Sequence, residues 1–343
     1  MSKPHLVTNS NKTNFRLAPE LLLKMHSLMV RTRTLEERMI KMYKQNDGFF
    51  WIGGPGEEAF NIPLGLLFKK GQGPQYDYFH GHYRSTGVLV AMGANALDFV
   101  RQMKNTATDP FSGGRNFIGH SSIRKWNVAP ISSPIEIQYS MAPGTALANK
   151  RKSKDALTAV VGGDAGTAEG DFATCLIWSS RPGNELPILI IVTNNSWGIS
   201  TAAETQHGDK CIADRGKAFG MKTMHINGLD AEESYLKLKE AMDYVRTERK
   251  PLLLEARVSR LYGHSSASGA NFVAQEEDPI KTFESRLEAS GLISREQIQK
   301  IWSSQNEEML AYAKQVREEP QPSPESIWDH VYCGQKGKKD RYW

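Results

Sequence analysis

The sequence predicts an α/β protein: a mostly parallel sheet flanked by helices, with helical extensions at its N- and C-terminal ends. Two observations carry that prediction. Ala156 to Val161 and Pro187 to Val192 are apolar runs of the length expected for fully buried parallel strands, with room between them for one crossover helix. Farther on, Ala218 to Ile226 and Pro251 to Val258 bracket a helix-like stretch from Ala231 to Lys250, repeating the strand-helix-strand rhythm.

Three parts are expected in order: an N-terminal arm and helix over 1–48, the α/β domain over 49–275, and a helical extension and tail over 276–343. After a polar start, Leu17 to Gln45 carries Leu21, Leu22, Met25, Met29, Leu35, Met39, Ile40 and Met42 at mostly helical spacing, and Ala18-Pro19-Glu20 suits a first turn. The methionines read as core or subunit packing. Gly48 ends the segment, and Phe49 to Glu58 places aromatics before a glycine-rich turn and the apolar helix Ala59 to Phe68. Tyr76 to Gly87 (YDYFHGHYRSTG) packs four aromatics, two histidines and Arg84 into a strand-to-helix junction, a density that points to binding. A polar, glycine-rich loop follows over 104–130, then Ile131-Ser132-Ser133-Pro134 and the small-residue helix Ala142 to Ala148. Beyond the central strands lie a loop from Ser196 to Asp214, the turn Asn227 to Asp230, and a loop carrying His264 just past a strand end. From Asp278 the pattern is amphipathic helix, closing in the proline-rich EEPQPSPES.

A chain of 343 residues can bury a sizeable core. Its 43 basic and 38 acidic residues leave a formal charge of +5, part of it in Lys336 to Arg341 (KGKKDR), which reads as a solvated or partner-facing tail and not as a nucleic-acid stripe. Cys175, Cys211 and Cys333 form neither C-x-x-C nor a His-paired zinc spacing, so buried or free thiols in a reducing compartment are expected. The start, MSKPHLVTNSNKTNF, lacks an apolar signal core, and no apolar run reaches the ~18 residues of a membrane span. A cytoplasmic location, with neither membrane nor nucleic acid as partner, is expected.

The chemistry concentrates between Val160 and Asn195. In a βαβ unit both strands end on one edge of the sheet, so Asp164, just past the first, and Asn195, just past the second, converge. One carboxylate, one amide oxygen, a backbone carbonyl and phosphate oxygens make a ligand set suited to Mg²⁺. Gly162, Gly163 and Gly166 let the backbone approach a phosphate, and a helix opening near Ala168 aims free N–H groups the same way. An ordinary glycine-rich turn of an α/β protein would share this spacing. A Rossmann site is disfavoured because neither G-x-G-x-x-G nor an acidic ribose ligand occurs, and no P-loop motif is present.

This arrangement resembles the thiamine diphosphate fingerprint of transketolase-like enzymes, Gly-Asp-Gly followed about thirty residues later by paired asparagines. More broadly, the chain resembles the alpha subunit of the decarboxylating first component of a 2-oxo acid dehydrogenase complex over nearly its whole length. Tyr83-Arg84 before Gly87-Val88-Leu89, Arg115 five residues before His120, Ile131 to Pro134, Asn195 to Thr201 and Gly263-His264-Ser265 all agree in order and spacing. The resemblance implies a thiamine diphosphate-binding fold, thiamine diphosphate and Mg as cofactors, and oxidative decarboxylation of a 2-oxo acid with acyl transfer to a lipoyl acyltransferase core. It assigns Asp164, Asn195 and the Trp197 carbonyl to the metal, and Tyr83, Arg84 and His264 to the diphosphate, with Gly163, Ala165 and Gly166 in the cradle and Ser133 and Ile135 supporting the bent cofactor. His264 is the implied catalytic residue on this chain, steadying charge during acyl transfer. Phe49, Phe50 and His82 are candidates for the substrate pocket.

Nothing in the sequence repeats the cradle, and the C-terminal helical stretch is too short for the second α/β domain such enzymes need. The resemblance implies a beta subunit that completes the site in a heterotetramer of two alpha and two beta chains and supplies the glutamate acting on the cofactor ring. The sequence departs from the pattern at Ala165, at Thr193 where branched-chain relatives often have Arg, at Ser268-Gly269 in place of an acidic residue, and at Ile137 in place of a hydroxyl that helps hold potassium in some relatives. Ser265 matches a position phosphorylated in some relatives. Branched-chain 2-oxo acids are the favoured substrates, because Ile131 to Pro134 and Phe49-Phe50 before Gly56-Glu57-Glu58 resemble that branch. A pyruvate or acetoin dehydrogenase alpha subunit is the alternative, and a non-catalytic cofactor-binding or scaffold subunit is the rival of another class.

Overall fold

The structure, a computed structural model, describes residues 14–329. The basic run Lys336 to Arg341 and Cys333 lie outside the described residues. Five strands form one fully parallel sheet: β1 (Tyr78–His80), β2 (Thr158–Gly163), β3 (Ile188–Asn194), β6 (Lys222–Asn227) and β7 (Leu252–Arg257), in the order β1-β2-β3-β7-β6. β4 (Trp197–Gly198) and β5 (Thr201–Ala202) make a separate two-residue hairpin.

Alternation along the strands sorts side chains to two faces. Ala159, Val161, Leu189, Ile191, Leu252 and Leu254 join a core with α2 (Glu58–Leu67), α3 (Thr86–Met92), α4 (Ala96–Lys104) and α7 (Ala231–Glu248). Val160, Ile188, Ile190, Val192 and Leu253 join a second core with α5 (Ile137–Lys152) and α6 (Gly170–Ser179). Because both faces are covered, the strands are continuous apolar runs and not alternating ones. A third cluster joins the start of α1 (Pro19–Lys44) to α8 (Pro279–Ala289) and α9 (Arg295–Arg317), using Leu22, Met25 and Met29 among others. The methionines expected to pack do so, Met25, Met29 and Met39 being fully buried.

Helix ends follow local chemistry. Pro19 opens α1 after an extended Ala18, and Asn95 and Asp230 cap α4 and α7 by accepting backbone N–H bonds. Two boundaries differ from the sequence expectation. α5 begins at Ile137, ahead of the small-residue stretch, because the buried Tyr139 hydroxyl donates to Ile191 O at 2.7 Å and draws the first turn onto the sheet. The crossover helix opens at Gly170 and not near Ala168, because Ala165–Ala168 tightens into a 3₁₀ turn in which Thr167 N–H donates to Asp164 O and Glu169 N–H to Gly166 O. Gly65 serves helix packing instead, since a Cβ there would stand 2.3 Å from Val88 O and only glycine lets α2 lie this close to α3.

Charged groups are buried between these layers in matched pairs. Arg33 reaches both Glu58 oxygens (2.6 and 3.0 Å) and both Asp278 oxygens (3.0 and 3.2 Å), joining α1, α2 and the N-cap of α8. Glu36 on α1 is less well served. Its Oε2 accepts the Trp51 indole N–H at 2.8 Å, while its buried Oε1 has no partner. Burial pushes its carboxyl up to about 7 against the Trp51 hydrogen bond.

Folding therefore holds the Glu36 proton more tightly than the unfolded chain does, and stability falls as pH rises from 4.5 toward 7, by about 3 kcal/mol for this group. Glu36→Gln keeps an acceptor for Trp51 and removes the titration. Urea unfolding should show the variant more stable than the parent at pH 8, with the difference almost gone at pH 4.5; an equal difference at both values would refute the assignment.

Candidate functional site

Parallel pairing of β2 with β3, Gly163 opposite Thr193, puts Asp164 and Asn195 on one edge of the sheet, as the spacing predicts. A cleft of about 210 Å³ opens there, lined by His82, Tyr83, Arg84, Ile135, Glu136, Gly163, Asp164, Ala165, Gly166, Glu169, Trp197, Gly198, Ile199, Gln206 and His264. That is smaller than the ~300–1,000 Å³ of sites enclosing a whole drug-sized ligand, as befits part of a larger site.

Arg84 is the buried cation of the cleft. Its Nε donates to Glu57 Oε1 at 2.5 Å, Nη1 to the Tyr83 hydroxyl at 3.3 Å and Nη2 to Thr193 Oγ1 at 3.5 Å. Burial works against its charge, yet Glu57, Tyr83 and Asp164 outweigh it and hold the guanidinium charged. Thr193 thus lies against Arg84, where the sequence expected a missing second arginine to matter. Tyr83 stacks beneath that guanidinium and packs edge-on to His264 at 5.9 Å between ring centroids. Burial, with Arg84 and Arg260 nearby, lowers His264 to about 4, so at neutral pH it is a neutral imidazole with one N–H to offer.

Asp164 is 1 % exposed, and its Oδ2 has no hydrogen-bond partner among the described residues. Burial raises its carboxyl while Arg84 opposes the rise. A buried carboxylate oxygen left unpaired beside a glycine loop is what a hard cation would satisfy. Asn195 Oδ1 accepts Trp197 N–H at 3.0 Å and keeps a second lone pair, and Asn194 Oδ1 accepts Ser196 N–H at 2.9 Å. These successive turns, with Ser196 and Ile199 at φ 64° and 54°, fold the Trp197 hairpin back over the cleft. The donor set therefore fits the metal-diphosphate group expected from sequence.

The glycines work differently from the expectation that they clear space for a phosphate. A Cβ at Gly162 or Gly166 would stand 2.1 or 1.8 Å from the Glu136 carboxylate, and one at Gly163 would stand 2.8 Å from Arg84 Nη2. Protein groups fill the space the missing side chains leave. Ala165, at the departing position, is accommodated because Gly198 opposite has no Cβ to meet its methyl group.

Glu136 was not singled out in the sequence. It is buried at φ 63°, accepts Gly163 N–H at 3.2 Å and the Gln138 amide at 2.8 Å, and burial pushes its carboxyl up to about 7. Its place beside Ile135 in the Ser-Pro stretch was the available signal. Glu57 and Arg260 were also missed; Arg260 lies over the Trp197 ring and donates to Ile199 O at 2.6 Å, and its one sequence cue is its position four residues before His264.

Other expected residues stand farther out. Ser133 is exposed, off the cleft lining, with its hydroxyl 2.8 Å from His120 Nε2. Phe50 packs edge-on to Phe117, which packs on His120. Of the three substrate-pocket candidates only His82 lines the cleft; Phe49 is 66 % exposed and not among its lining residues, on the chain that leaves α1 through a turn with Asn46 at φ 58°. Ser265 is buried and caps a short 3₁₀ turn with Ser268. Among the described residues no helix is long and apolar enough to cross a membrane.

A family model described as dehydrogenase E1 component matches residues 26–325. The chain is 30% identical over 329 residues to a 2-oxoisovalerate dehydrogenase subunit alpha of Bacillus subtilis (strain 168), spanning 92% of this chain and 97% of that protein. It is 28% identical over 336 residues to the mitochondrial 2-oxoisovalerate dehydrogenase subunit alpha 2 of Arabidopsis thaliana, spanning 95% of this chain and 69% of that one. With the mitochondrial 2-oxoisovalerate dehydrogenase subunit alpha of Homo sapiens it shares 26% identity over 326 residues, 92% of this chain and 71% of the other.

Gly166→Ala should destabilise the chain by about 1–3 kcal/mol through overpacking against Glu136. In a double-mutant cycle followed by thermal unfolding, Glu136→Ala should relieve most of that loss; strictly additive effects would show that the clash is not with Glu136.

Proposed function

Because this chain belongs to the dehydrogenase E1 component family and is an alpha subunit of a 2-oxo acid dehydrogenase, we propose that the cleft binds the diphosphate of thiamine diphosphate through Mg²⁺. The observation that carries the reading is the meeting of a buried, paired guanidinium, Arg84, with an unpartnered buried carboxylate oxygen on Asp164 at one strand edge. Thiamine diphosphate, when bound, supplies the carbon that attacks the keto group and holds the electron pair left as carbon dioxide departs.

The chain's own part is to bind and orient. Asp164, Asn195 and the Trp197 carbonyl would hold the metal. Arg84 offers the diphosphate a planar fork that Glu57 keeps aimed from behind. Neutral His264 donates a hydrogen bond at the same end without adding a second fixed cation. Ile135, Trp197 and Ile199 are the large apolar side chains of the lining and stand exposed at its open side, where a partner chain would cover them.

Alpha subunits of this family pair with beta subunits within 2-oxo acid dehydrogenase complexes. We propose a heterotetramer in which the beta chain closes the open side of the cleft and the acyl group passes to a lipoyl acyltransferase. Branched-chain 2-oxo acids are the proposed substrates, supported by the names of the relatives above and by the Ile131 to Pro134 and Phe49 to Glu58 segments.

Calorimetric titration of thiamine diphosphate into the heterotetramer should give Mg²⁺-dependent binding that Asp164→Ala abolishes; no such binding by the parent chain would instead support a non-catalytic subunit. The reconstituted complex should turn over 3-methyl-2-oxobutanoate faster than pyruvate, and the reverse order would overturn the substrate assignment. His264→Ala should slow acyl transfer to the lipoyl arm, with normal transfer at normal cofactor affinity counting against its role.

A further inference from the structure

A second group of ligating side chains lies on the α6 side of the sheet, outside the cleft lining. His225 on β6 and Glu255 on β7 are register partners on adjacent strands. Cys211 and Asp214 come from the start of the 3₁₀ turn Ile212–Phe219, which lies against those two strands. Cys211 Sγ stands 2.8 Å from His225 Nε2 and 3.1 Å from Glu255 Oε2. His225 Nε2 is 3.6 Å from Asp214 Oδ1, and His225 Nδ1 is 3.8 Å from Glu255 Oε2. One donor atom from each of Cys211, Asp214 and His225 falls within 4.8 Å of the others.

Ligands held tetrahedrally at the ~2.0–2.3 Å of zinc bonds stand about 3.3–3.8 Å from one another, and His225 Nε2 lies 2.8 Å from Cys211 Sγ and 3.6 Å from Asp214 Oδ1. The set is thiolate, imidazole and carboxylate, which suits a borderline cation and not the hard Mg²⁺ of the cleft. Glu255 braces the thiol from behind: its Oε1 accepts the Asn194 amide at 2.7 Å, and its Oε2 accepts Ala213 N–H at 3.0 Å and the Cys211 thiol at 3.1 Å. Without a cation, burial and Glu255 push the Cys211 thiol up to about 11, so Cys211 is no free nucleophile, while Asp214 Oδ1 rests on Lys217 Nζ at 2.8 Å, an exposed pair that a cation can displace. The cysteine-histidine pairing was invisible in the sequence because a sheet register brings the ligands together, and no short spacing does.

We propose that Cys211, Asp214 and His225 bind one zinc-class divalent cation, with Glu255 hydrogen-bonded to Cys211 behind the ligand set. The ion ties the segment that includes Trp197, Ile199 and Gln206, one wall of the cleft, to the ends of β6 and β7. Glu255, hydrogen-bonded to both Cys211 and Asn194, links the site to the residue preceding Asn195.

The full-length chain with its partner subunit, stripped of metal and held in excess Mg²⁺, should take up one equivalent of Co²⁺ with a thiolate-to-cobalt charge-transfer band, release about one proton from the thiol, and yield the cobalt to Zn²⁺. Cys211→Ser should abolish the band. Asp214→Asn, at an exposed side chain that cannot threaten folding, should weaken affinity at least about tenfold. Absence of a thiolate band, its persistence in Cys211→Ser, or unchanged affinity in Asp214→Asn would each overturn the proposal.

Discussion

The pairing of Glu57 with Arg84 is the constraint on which the cleft depends. A guanidinium that is 8 % exposed at a strand edge survives only if a carboxylate meets it directly, and Glu57 does so at the start of α2. The next residue, Glu58, performs the same service for Arg33 on α1. Two adjacent acids therefore bind the cation of the site on one side and the cation of the helical scaffold on the other. Asp278 extends the tie to α8. The geometry of the cleft is thus set by the packing of four separate segments, and the long helices outside the sheet contribute to it through charge as well as through apolar surface.

The second constraint is the fit between Glu136 and the glycines of the β2 loop. Its carboxyl fills the volume that side chains at 162 and 166 would need and is bonded to the backbone at Gly163. Immediately beyond lies Asp164, with an oxygen that none of the described residues satisfies. The loop is therefore braced from below by protein and left open above toward a cation. That asymmetry, along with the modest size of the cleft, matches a chain that contributes one side of a cofactor site.

Left-handed non-glycine backbone occurs at the cleft as well as at turns elsewhere, such as Asn46, Arg249 and Ala270. Glu136, Ser196 and Ile199 all adopt left-handed backbone, and two of the three line the cleft directly. For a β-branched residue such as Ile199 this is costly, and the Arg260 side chain bonded to its carbonyl helps to hold it.

By itself the sequence determined the parallel strands, the placement of Asp164 and Asn195 on one edge of the sheet, and the presence of Arg84 and His264 in loops past strand ends. All of these follow from local patterns, because apolar runs define buried strands and parallel pairing sends every strand end to one edge. Only the tertiary structure decided that Glu57 neutralises Arg84, that Glu136 and not a phosphate occupies the glycine space, that Phe49 faces solvent, and that Cys211 meets His225. Each of these depends on the approach of segments far apart in the chain, where one ångström decides between contact and clash, and neither periodicity nor spacing encodes a distance of that kind.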